Sequence, residues 1–211
     1  MKVGVFSGSR SEYGLLKELL KLLFKDTFFK TDFIVSGSHL SKKYGFSVKE
    51  ILEDKISIKK KIVLDLKLST AFDVCQNFSN INSKINKFFK TNKYDALILL
   101  GDRYESLAVA IAAYINRIPI VHIHGGEKTE DSLDDNYRHA ISKFSNFHFV
   151  SHFTNKKRLI QLGEYPKSIK VVGGLGANSI SKIKLINKKD IEKILNIKIK
   201  YKVIVINFYP E

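Results

Sequence analysis

Residues Ala96–Glu105 read ALILLGDRYE, an unbroken apolar run followed at once by a glycine and charged residues. An apolar run without polar alternation is typical of a strand covered on both faces, as in a parallel sheet with helices above and below it. Ser106–Ile115 continues with a helical pattern. This stretch therefore predicts one strand–loop–helix unit of an α/β fold.

Similar units precede and follow it along the chain. Further strands are predicted at Lys2–Phe6, Asp32–Val35, Lys61–Leu66, Pro119–Ile123, Phe147–Val150, Lys170–Val172 and Lys202–Ile206. Helices are predicted at Glu12–Phe24, Asp73–Lys90, Asp134–Phe144, Asn155–Leu162, Ser179–Ile183 and around Asp190–Leu195, and the capping-box pattern of Ser47–Glu50 opens another. Alternating strands and helices of this length predict a doubly wound parallel sheet of Rossmann type.

The predicted organisation is a Rossmann-like domain over 1–180, a linker with a helix over 181–201, and a last strand within 202–211. That strand either adds to the first sheet or opens a second domain, and the residue pattern favours neither.

Composition excludes several classes of protein. Hydrophobic residues make up 44% of the chain, which is enough to bury a core, yet there is no apolar run of the roughly 18 residues that a membrane span needs. The net charge is +15, but the lysines are scattered from Lys2 to Lys202, whereas surfaces that read nucleic acid usually favour arginine. The single cysteine, Cys75, fits a reducing, cytoplasmic setting. We expect neither a nucleic-acid nor a membrane partner.

The loops after the strands are where a ligand is expected, because open parallel sheets bind ligands at the carboxyl ends of their strands. The first such loop, Ser7–Gly14, is small and polar and contains Arg10; it favours an anion site or is an ordinary turn. After the fourth strand, Gly101 allows close approach of a ligand. Asp102 follows it either as a functional carboxylate or as a helix cap.

The segment His122–Glu130, HIHGGEKTE, is the richest in chemical groups. His122 and His124 share one side of a continuing strand, and the glycine pair Gly125–Gly126 brings the backbone close to whatever lies there. In the next helix, Asp134 and Arg138 are four residues apart and share a face, either for function or as a surface ion pair.

Zinc binding is one interpretation of the histidines in this chain. The histidines concerned are His122, His124, His139, His148 and His152. They follow no metal-ligand spacing, and Cys75 is remote in sequence, so we expect neither a metal nor a cofactor.

Taken in order, these segments resemble the hydrolysing UDP-N-acetylglucosamine 2-epimerases of sialic-acid-type sugar biosynthesis. The matching segments are SGSRSEY at 7–13, GSHLS at 37–41, GDRYE at 101–105, HIHGGE at 122–127, DDNYRHAI at 134–141 and IQLGE at 160–164. They cover nearly the whole chain, and the ordered set is much more specific than any one member.

The resemblance implies the N-terminal half of a two-domain fold similar to GT-B glycosyltransferases, with the active site between the domains. It implies conversion of UDP-N-acetylglucosamine and water to N-acetylmannosamine and UDP through a glycal, without a cofactor. It implies catalytic roles for Asp102, His124, Asp134 and Glu127, and substrate-binding roles for Arg10, Arg138, Gly101, Gly125 and Gly126.

Two departures from the family pattern leave more than one interpretation open. The second domain, expected to open within 202–211, is missing, and Tyr209 stands where relatives place a histidine before a proline. The chain is therefore an incomplete enzyme, or it is completed by a homo-oligomer or a separate chain. An inactive nucleotide-sugar-binding module also fits these residues, and so does an epimerase acting on N,N'-diacetylbacillosamine linked to UDP or GDP.

Overall fold

The computed structural model describes residues 1–64, 70–180 and 185–206, with the backbone alone for 178–180. Seven parallel strands form one sheet in the order β3-β2-β1-β4-β5-β6-β7. They are β1 (Lys2–Ser7), β2 (Lys30–Val35), β3 (Ile58–Lys61), β4 (Ala96–Leu100), β5 (Ile120–Ile123), β6 (Phe147–Val150) and β7 (Ile169–Val171). The predicted doubly wound α/β fold is confirmed.

Helices connect the strands and cover the sheet. They are α1 (Arg10–Lys25), α2 (Val48–Glu53), α3 (Ala71–Thr91), α4 (Tyr104–Ile115), α5 (Leu133–Phe144), α6 (Phe153–Gln161), α7 (Leu175–Ile180) and α8 (Lys188–Leu195), with short 3-10 turns at Gly37–Leu40, Lys42–Tyr44 and Pro166–Ser168. Within the described ranges, none of these helices is both long and apolar enough to cross a bilayer.

The core lies on both faces of the sheet because successive strand residues point to opposite sides. In β4, Leu97 and Leu99 join a buried cluster with α3 and α4, whereas Ile98 and Leu100 join a second cluster with Leu16 and other residues of α1. The unbroken apolar run that identified this strand is thus used in full.

The strand order reverses between β1 and β4. β1 pairs with β2 on one side and with β4 on the other, so the loops after β1 and β4 lead away in opposite directions. A crevice opens between them at the carboxyl ends of the strands. The fold therefore places the loops that contain Arg10 and Asp102 side by side.

Most predicted elements agree with the structure to within about two residues at each end, and three differ by more. β3 ends at Lys61 instead of running over Lys61–Leu66, because its partner β2 ends at Val35; residues 65 and 66 are not among those described. The helix expected at Ser179–Ile183 is α7, which begins earlier, at Leu175, where that residue packs with the α1 side of the core; residues 181–183 lie outside the described ranges.

The strand expected at Lys202–Ile206 is absent from the described structure. Val203 through Ile206 are exposed and pair with no neighbouring strand. The division of the chain at residues 180 and 201 remains a prediction.

The capping box expected at Ser47–Glu50 does not form. Ser47 is the N-cap of α2, but its hydroxyl hydrogen-bonds the Nδ1 atom of buried His39 at 2.8 Å. Capping boxes form elsewhere, between Ser9 and Glu12 at the start of α1 and between Thr70 and Asp73 at the start of α3.

Candidate active site

A cavity of about 270 Å³ lies at the crevice between the loops after β1 and β4. We call it the switch-point cavity. The predicted site residues that line it are Gly101, Asp102, His124, Glu127, Asp134 and Arg138. Residues far apart in sequence thus meet at one rim of the sheet. Arg10, Gly125 and Gly126 do not line this cavity.

Asp102 is held by a buried arginine. The guanidinium of Arg138, only 4% exposed, forms ion pairs with Asp102 and with Asp135, the latter at 2.8 Å, and donates a 3.1 Å hydrogen bond to Thr129. The ion pairs of Arg138 therefore run to Asp135 and Asp102, and not to Asp134 as its spacing suggested. Arg138 orients a carboxylate of the cavity, and its expected role as a phosphate-directed cation stays a prediction.

Asp134 has a different environment. It lies in the first turn of α5, where its backbone N–H donates to the hydroxyl of the N-cap Ser132 at 3.2 Å. Burial raises the pKa of Asp134, and the nearby Asp102 raises it further, against opposition from Arg103. Asp134 therefore retains a proton to higher pH than an ordinary aspartate.

His124 is fixed on two sides. Its Nδ1 lies 3.2 Å from a carboxylate oxygen of Glu127, and its Nε2 accepts a 3.3 Å hydrogen bond from the N–H of Leu175 at the start of α7. This pattern requires the neutral tautomer with hydrogen on Nδ1. The backbone of His124 has φ +65, a left-handed conformation uncommon for residues other than glycine. Its own N–H still bonds Phe149 of β6, at 2.9 Å, which holds the turn against the sheet.

Glu127 also accepts a 2.6 Å hydrogen bond from the hydroxyl of Ser151. Burial alone would raise the pKa of Glu127, but the hydrogen bonds from His124 and Ser151 outweigh it, and the pKa falls below its ordinary value. Glu127 is thus an ionised carboxylate that orients His124.

The glycines of the site serve different purposes. Gly101 has φ +79 and open space where a side chain would project, and its carbonyl accepts a 2.8 Å hydrogen bond from Nε2 of His122. By contrast, a Cβ on Gly125 would lie 2.8 Å from the His122 ring, and one on Gly126 would lie 2.5 Å from the carbonyl oxygen of Asn155. These two glycines are required by packing inside the protein, and their expected contact with substrate stays a prediction.

Arg10 lies beside a second cavity of about 420 Å³, the Arg10 cavity, which Ser9, Ser38 and Tyr44 also line. Its side chain is 76% exposed and pairs with Glu50 at 3.2 Å. The two cavities share Ser11 and Arg103 in their walls, so they adjoin. An exposed guanidinium, the start of α1 and several hydroxyls form a surface suited to an anion.

The histidines considered for zinc do not gather around one point. His122 is fully buried, and burial lowers its pKa to about 3; it donates to the carbonyl of Gly101, as described above, and its Nδ1 faces Ser142 at 3.0 Å. His148 lies beside it on β6, and His152 caps α6. Among the described residues, no group of three or more histidine, cysteine or carboxylate side chains is arranged to hold a metal ion.

A family model described as UDP-N-acetylglucosamine 2-epimerase matches residues 21–211. The chain belongs to the UDP-N-acetylglucosamine 2-epimerase family. Its relatives include a GDP/UDP-N,N'-diacetylbacillosamine 2-epimerase (hydrolyzing) of Campylobacter jejuni, 39% identical over 99% of this chain and 54% of that protein. Another is the polysialic acid biosynthesis protein P7 of Escherichia coli, 38% identical over 100% of this chain and 54% of that protein. The chain spans about half the length of these relatives.

Solved structures of epimerases share the fold. A putative UDP-N-acetylglucosamine 2-epimerase from Listeria monocytogenes matches with a TM-score of 0.79 at 19% identity, over 92% of this chain and 51% of that one. The Neisseria meningitidis UDP-GlcNAc 2-epimerase bound to UDP-GlcNAc matches with a TM-score of 0.77 at 19% identity, over 93% of this chain and 53% of that one. The resemblance seen in the sequence motifs is therefore confirmed at the level of family and fold.

The structure of this epimerase-family domain adds two charged cavity residues to which the motifs assigned no role. Glu12 is buried in the wall of the switch-point cavity, and Arg103 forms a bidentate pair with buried Glu105 at 3.1 and 3.2 Å. Glu12 had a local signal, since Ser9 and Glu12 form an S-x-x-E capping pattern. Arg103 lies within the GDRYE segment, directly after Asp102, but the segment by itself does not say that the arginine side chain reaches the cavity wall.

The arrangement places two carboxyl groups with different surroundings in one cavity of this epimerase-family domain. Asp102 is paired with a buried cation, whereas burial and a neighbouring carboxylate raise the pKa of Asp134. Two carboxyl groups in such unlike environments can divide proton acceptance and proton donation between them.

Proposed function

We propose that this chain provides the N-terminal part of the active site of a hydrolysing 2-epimerase that acts on a nucleoside-diphosphate-linked 2-acetamido sugar. The observation that carries the proposal is the meeting of Asp102 and Asp134 in one cavity with different electrostatic surroundings. The family and the relatives' names support the reaction class.

The chemistry needs both kinds of carboxyl group. In the first step a base takes the C2 proton while the C1–O bond breaks, so that the diphosphate leaves with the electron pair and a glycal remains. In the second step water adds to C1 and a proton returns to C2 on the opposite face. We assign Asp102, held by Arg138, as the base and Asp134 as the proton donor.

His124 and Glu127 supply a second proton-transfer pair. Glu127 accepts a hydrogen bond from Ser151 and orients the imidazole of His124. The Nε2 atom of His124 accepts from the N–H of Leu175 in this structure. Movement of α7 away from His124 would free Nε2 to face the cavity. We propose that His124 then assists the addition of water.

The departing diphosphate requires cations. Arg10 and Arg103 lie around the adjoining Arg10 cavity, which the hydroxyls of Ser9 and Ser11 also line. Because negative charge grows on the diphosphate as the C1–O bond breaks, cations placed there stabilise the transition state more than the bound substrate.

Two sugars are candidates. Two relatives named as N,N'-diacetylbacillosamine 2-epimerases are 39% and 38% identical to this chain, whereas the Neisseria meningitidis protein named UDP-N-acetylglucosamine 2-epimerase is 30% identical. This difference favours the doubly acetylated sugar over UDP-N-acetylglucosamine. The interpretation as an inactive binding module depends partly on Tyr209, which lies outside the described residues.

The test measures turnover with both UDP sugars in D2O. The chain is assayed by itself and joined to the C-terminal half of the Escherichia coli P7 protein. We expect release of UDP and a free sugar that carries deuterium at C2, with little turnover by the unjoined chain. Asp102→Asn and Asp134→Asn should each lower the rate by about two to four orders of magnitude, whereas the control Asp131→Asn, at an exposed position of the loop before α5, should not.

The inactive binding module predicts another result. If both preparations bind UDP sugar but neither releases UDP nor exchanges the C2 proton, the epimerase proposal is wrong and the binding interpretation stands. Full turnover by Asp102→Asn would overturn the role given to that residue.

A further inference from the structure

Glu12 is a buried carboxyl group in the wall of the switch-point cavity, and the proposed reaction gives it no task. It is 5% exposed. One carboxylate oxygen accepts hydrogen bonds from the N–H groups of Gly8 at 2.5 Å and Ser9 at 3.0 Å and from the hydroxyl of Ser7 at 3.2 Å. The other accepts from the hydroxyl of Ser106 on α4 at 3.2 Å.

These donors are of two kinds. The two N–H groups are fixed at the start of α1, whereas the two hydroxyl groups can rotate and can accept as well as donate. The Ser7 hydroxyl also lies 2.9 Å from Nε2 of His39 and 3.2 Å from the carbonyl of Ser9. If Glu12 gains a proton, it can donate to a serine hydroxyl, and that hydroxyl can turn to another acceptor without movement of any heavy atom.

His39 keeps this network adaptable. Burial lowers the pKa of His39 to about 4, so the ring is neutral near pH 7 and carries one N–H. Its Nε2 faces Ser7 and its Nδ1 faces the hydroxyl of Ser47 at 2.8 Å. A change of tautomer lets the ring either accept from Ser7 or donate to it.

The charges around Glu12 come from three elements. Glu105 of α4 lies buried nearby at 1% exposed, Arg103 before α4 pairs with it, and Asp134 of α5 lines the same cavity. Burial and the charge of Glu105 raise the pKa of Glu12 to about 7, against opposition from Gly8 N–H and Arg103. Glu12 is therefore poised to change its charge near neutral pH.

We propose that Glu12 is a charge-compensating position: it takes up a proton when a diphosphate-bearing ligand enters the adjoining cavities, so that the added negative charge is offset. This inference rests on the proposed function for the kind of ligand. An anion beside a carboxyl group disfavours its ionised form. Because the bound state then holds one more proton, the affinity for the ligand should fall up to about tenfold per pH unit above the midpoint of the free protein.

The experiment follows the side-chain carboxyl carbon of glutamate by ¹³C NMR over a pH series, in the full chain, with and without UDP-N-acetylglucosamine. UDP-N-acetylglucosamine has no ionisation of its own near neutral pH, so a shifted midpoint reports on the protein. We expect one glutamate resonance with a midpoint near 7 that moves upward with the ligand. Glu12→Gln should remove that resonance, whereas Glu18→Gln, at a side chain 37% exposed on the same helix, should leave it.

A second readout protects the test against misfolding of the variant. The amide signals of Gly8 and Ser9, which donate to Glu12, should report the same midpoint in the unaltered chain. A midpoint near the ordinary 4.5 would overturn the proposal. So would a midpoint that stays in place, whether or not other signals show that the ligand binds.

The outcomes separate this inference from the epimerase proposal. Absence of turnover together with a ligand-linked midpoint near 7 would sink the epimerase reaction and leave the role of Glu12 standing. Turnover together with a midpoint near 4.5 would sink the role of Glu12 and leave the reaction standing.

Discussion

Replacing Arg138 with methionine tests whether one buried guanidinium holds the candidate site together. The change leaves Asp102 without its ion-pair partner, leaves Asp135 paired with His139 alone at 3.4 Å, and removes the donor to the hydroxyl of Thr129. Removal of one member of a buried ion pair costs about 3–5 kcal/mol of unfolding free energy. Asp102 is 30% and Asp135 19% exposed, so both regain some water, and we expect a loss of about 2–4 kcal/mol.

The assay is urea unfolding followed by circular dichroism, with thermal unfolding as a second measure. For a chain of this size a loss of 2–4 kcal/mol corresponds to a fall of roughly 4–16 °C in melting temperature. The matched control is Arg117→Met, which removes the same charge from an exposed position. That control should stay within about 0.5 kcal/mol of the unaltered chain.

Double-mutant cycles identify the partner. Arg138→Met combined with Asp102→Asn should show a coupling of about 1–3 kcal/mol, because these side chains are in contact. The same substitution combined with Asp134→Asn should show a weaker coupling, because the ion pairs of Arg138 run to Asp102 and Asp135. If Arg138→Met unfolds like Arg117→Met, or if the stronger coupling is to Asp134, the reasoning about the site is refuted.

Three further predictions concern other parts of the domain. Gly126→Ala should lower the unfolding free energy by about 2–4 kcal/mol, because the new Cβ would collide with the backbone of Asn155. Gly101→Ala is the matched control, since Gly101 has a similar positive φ but open space, and it should cost only about 1 kcal/mol. Equal losses of unfolding free energy in urea would disprove the packing argument. Burial lowers the pKa values of His122 and His39 to about 3 and 4, so below about pH 6.5 the unfolded chain binds more protons and the unfolding free energy should fall as the pH drops toward 4. Glu12, whose pKa is raised, acts in the opposite sense between about pH 4.5 and 7. His122→Gln should flatten the dependence of the unfolding free energy on pH in acid, measured by urea unfolding, and an unchanged dependence would contradict a buried neutral His122. Leu175 is the first residue of α7, a position where proline is tolerated, so Leu175→Pro removes the N–H that donates to Nε2 of His124 without breaking the helix. The ¹⁵N chemical shifts of the His124 ring should then show a changed tautomer balance. Identical shifts would mean that this contact does not fix the ring.

The parts of the fold that local pattern determines were predictable. The apolar run of β4 and the helical spacing of α3 lead directly to elements with nearly the expected bounds. β3 has the sequence IKKK, which carries little apolar signal, and its bounds are fixed by the length of β2. The prediction there was wrong because pairing with a strand distant in sequence, and not the segment itself, decides where β3 lies.

The site shows the same division. The ordered motifs predicted that Asp102, His124 and Asp134 lie together, and all three line one cavity. Asp134 and Asp135 are both within reach of Arg138 on a helix, and the position of Asp102 on another loop decides that Asp135 is the partner. Likewise, Glu12 carries a local capping signal, but its burial beside Glu105 depends on α4 and cannot be read from its neighbours.

The three consecutive lysines of β3, Lys59–Lys61, are exposed on an edge strand of the sheet. An open edge offers unpaired backbone groups to any second strand, and paired strands lie about 4.8 Å apart. Two such edges would bring opposing rows of ammonium groups well inside the roughly 8 Å over which physiological salt screens charge. Charge repulsion therefore opposes pairing of two copies through their β3 edges in dilute buffer, and concentrated salt would weaken this repulsion.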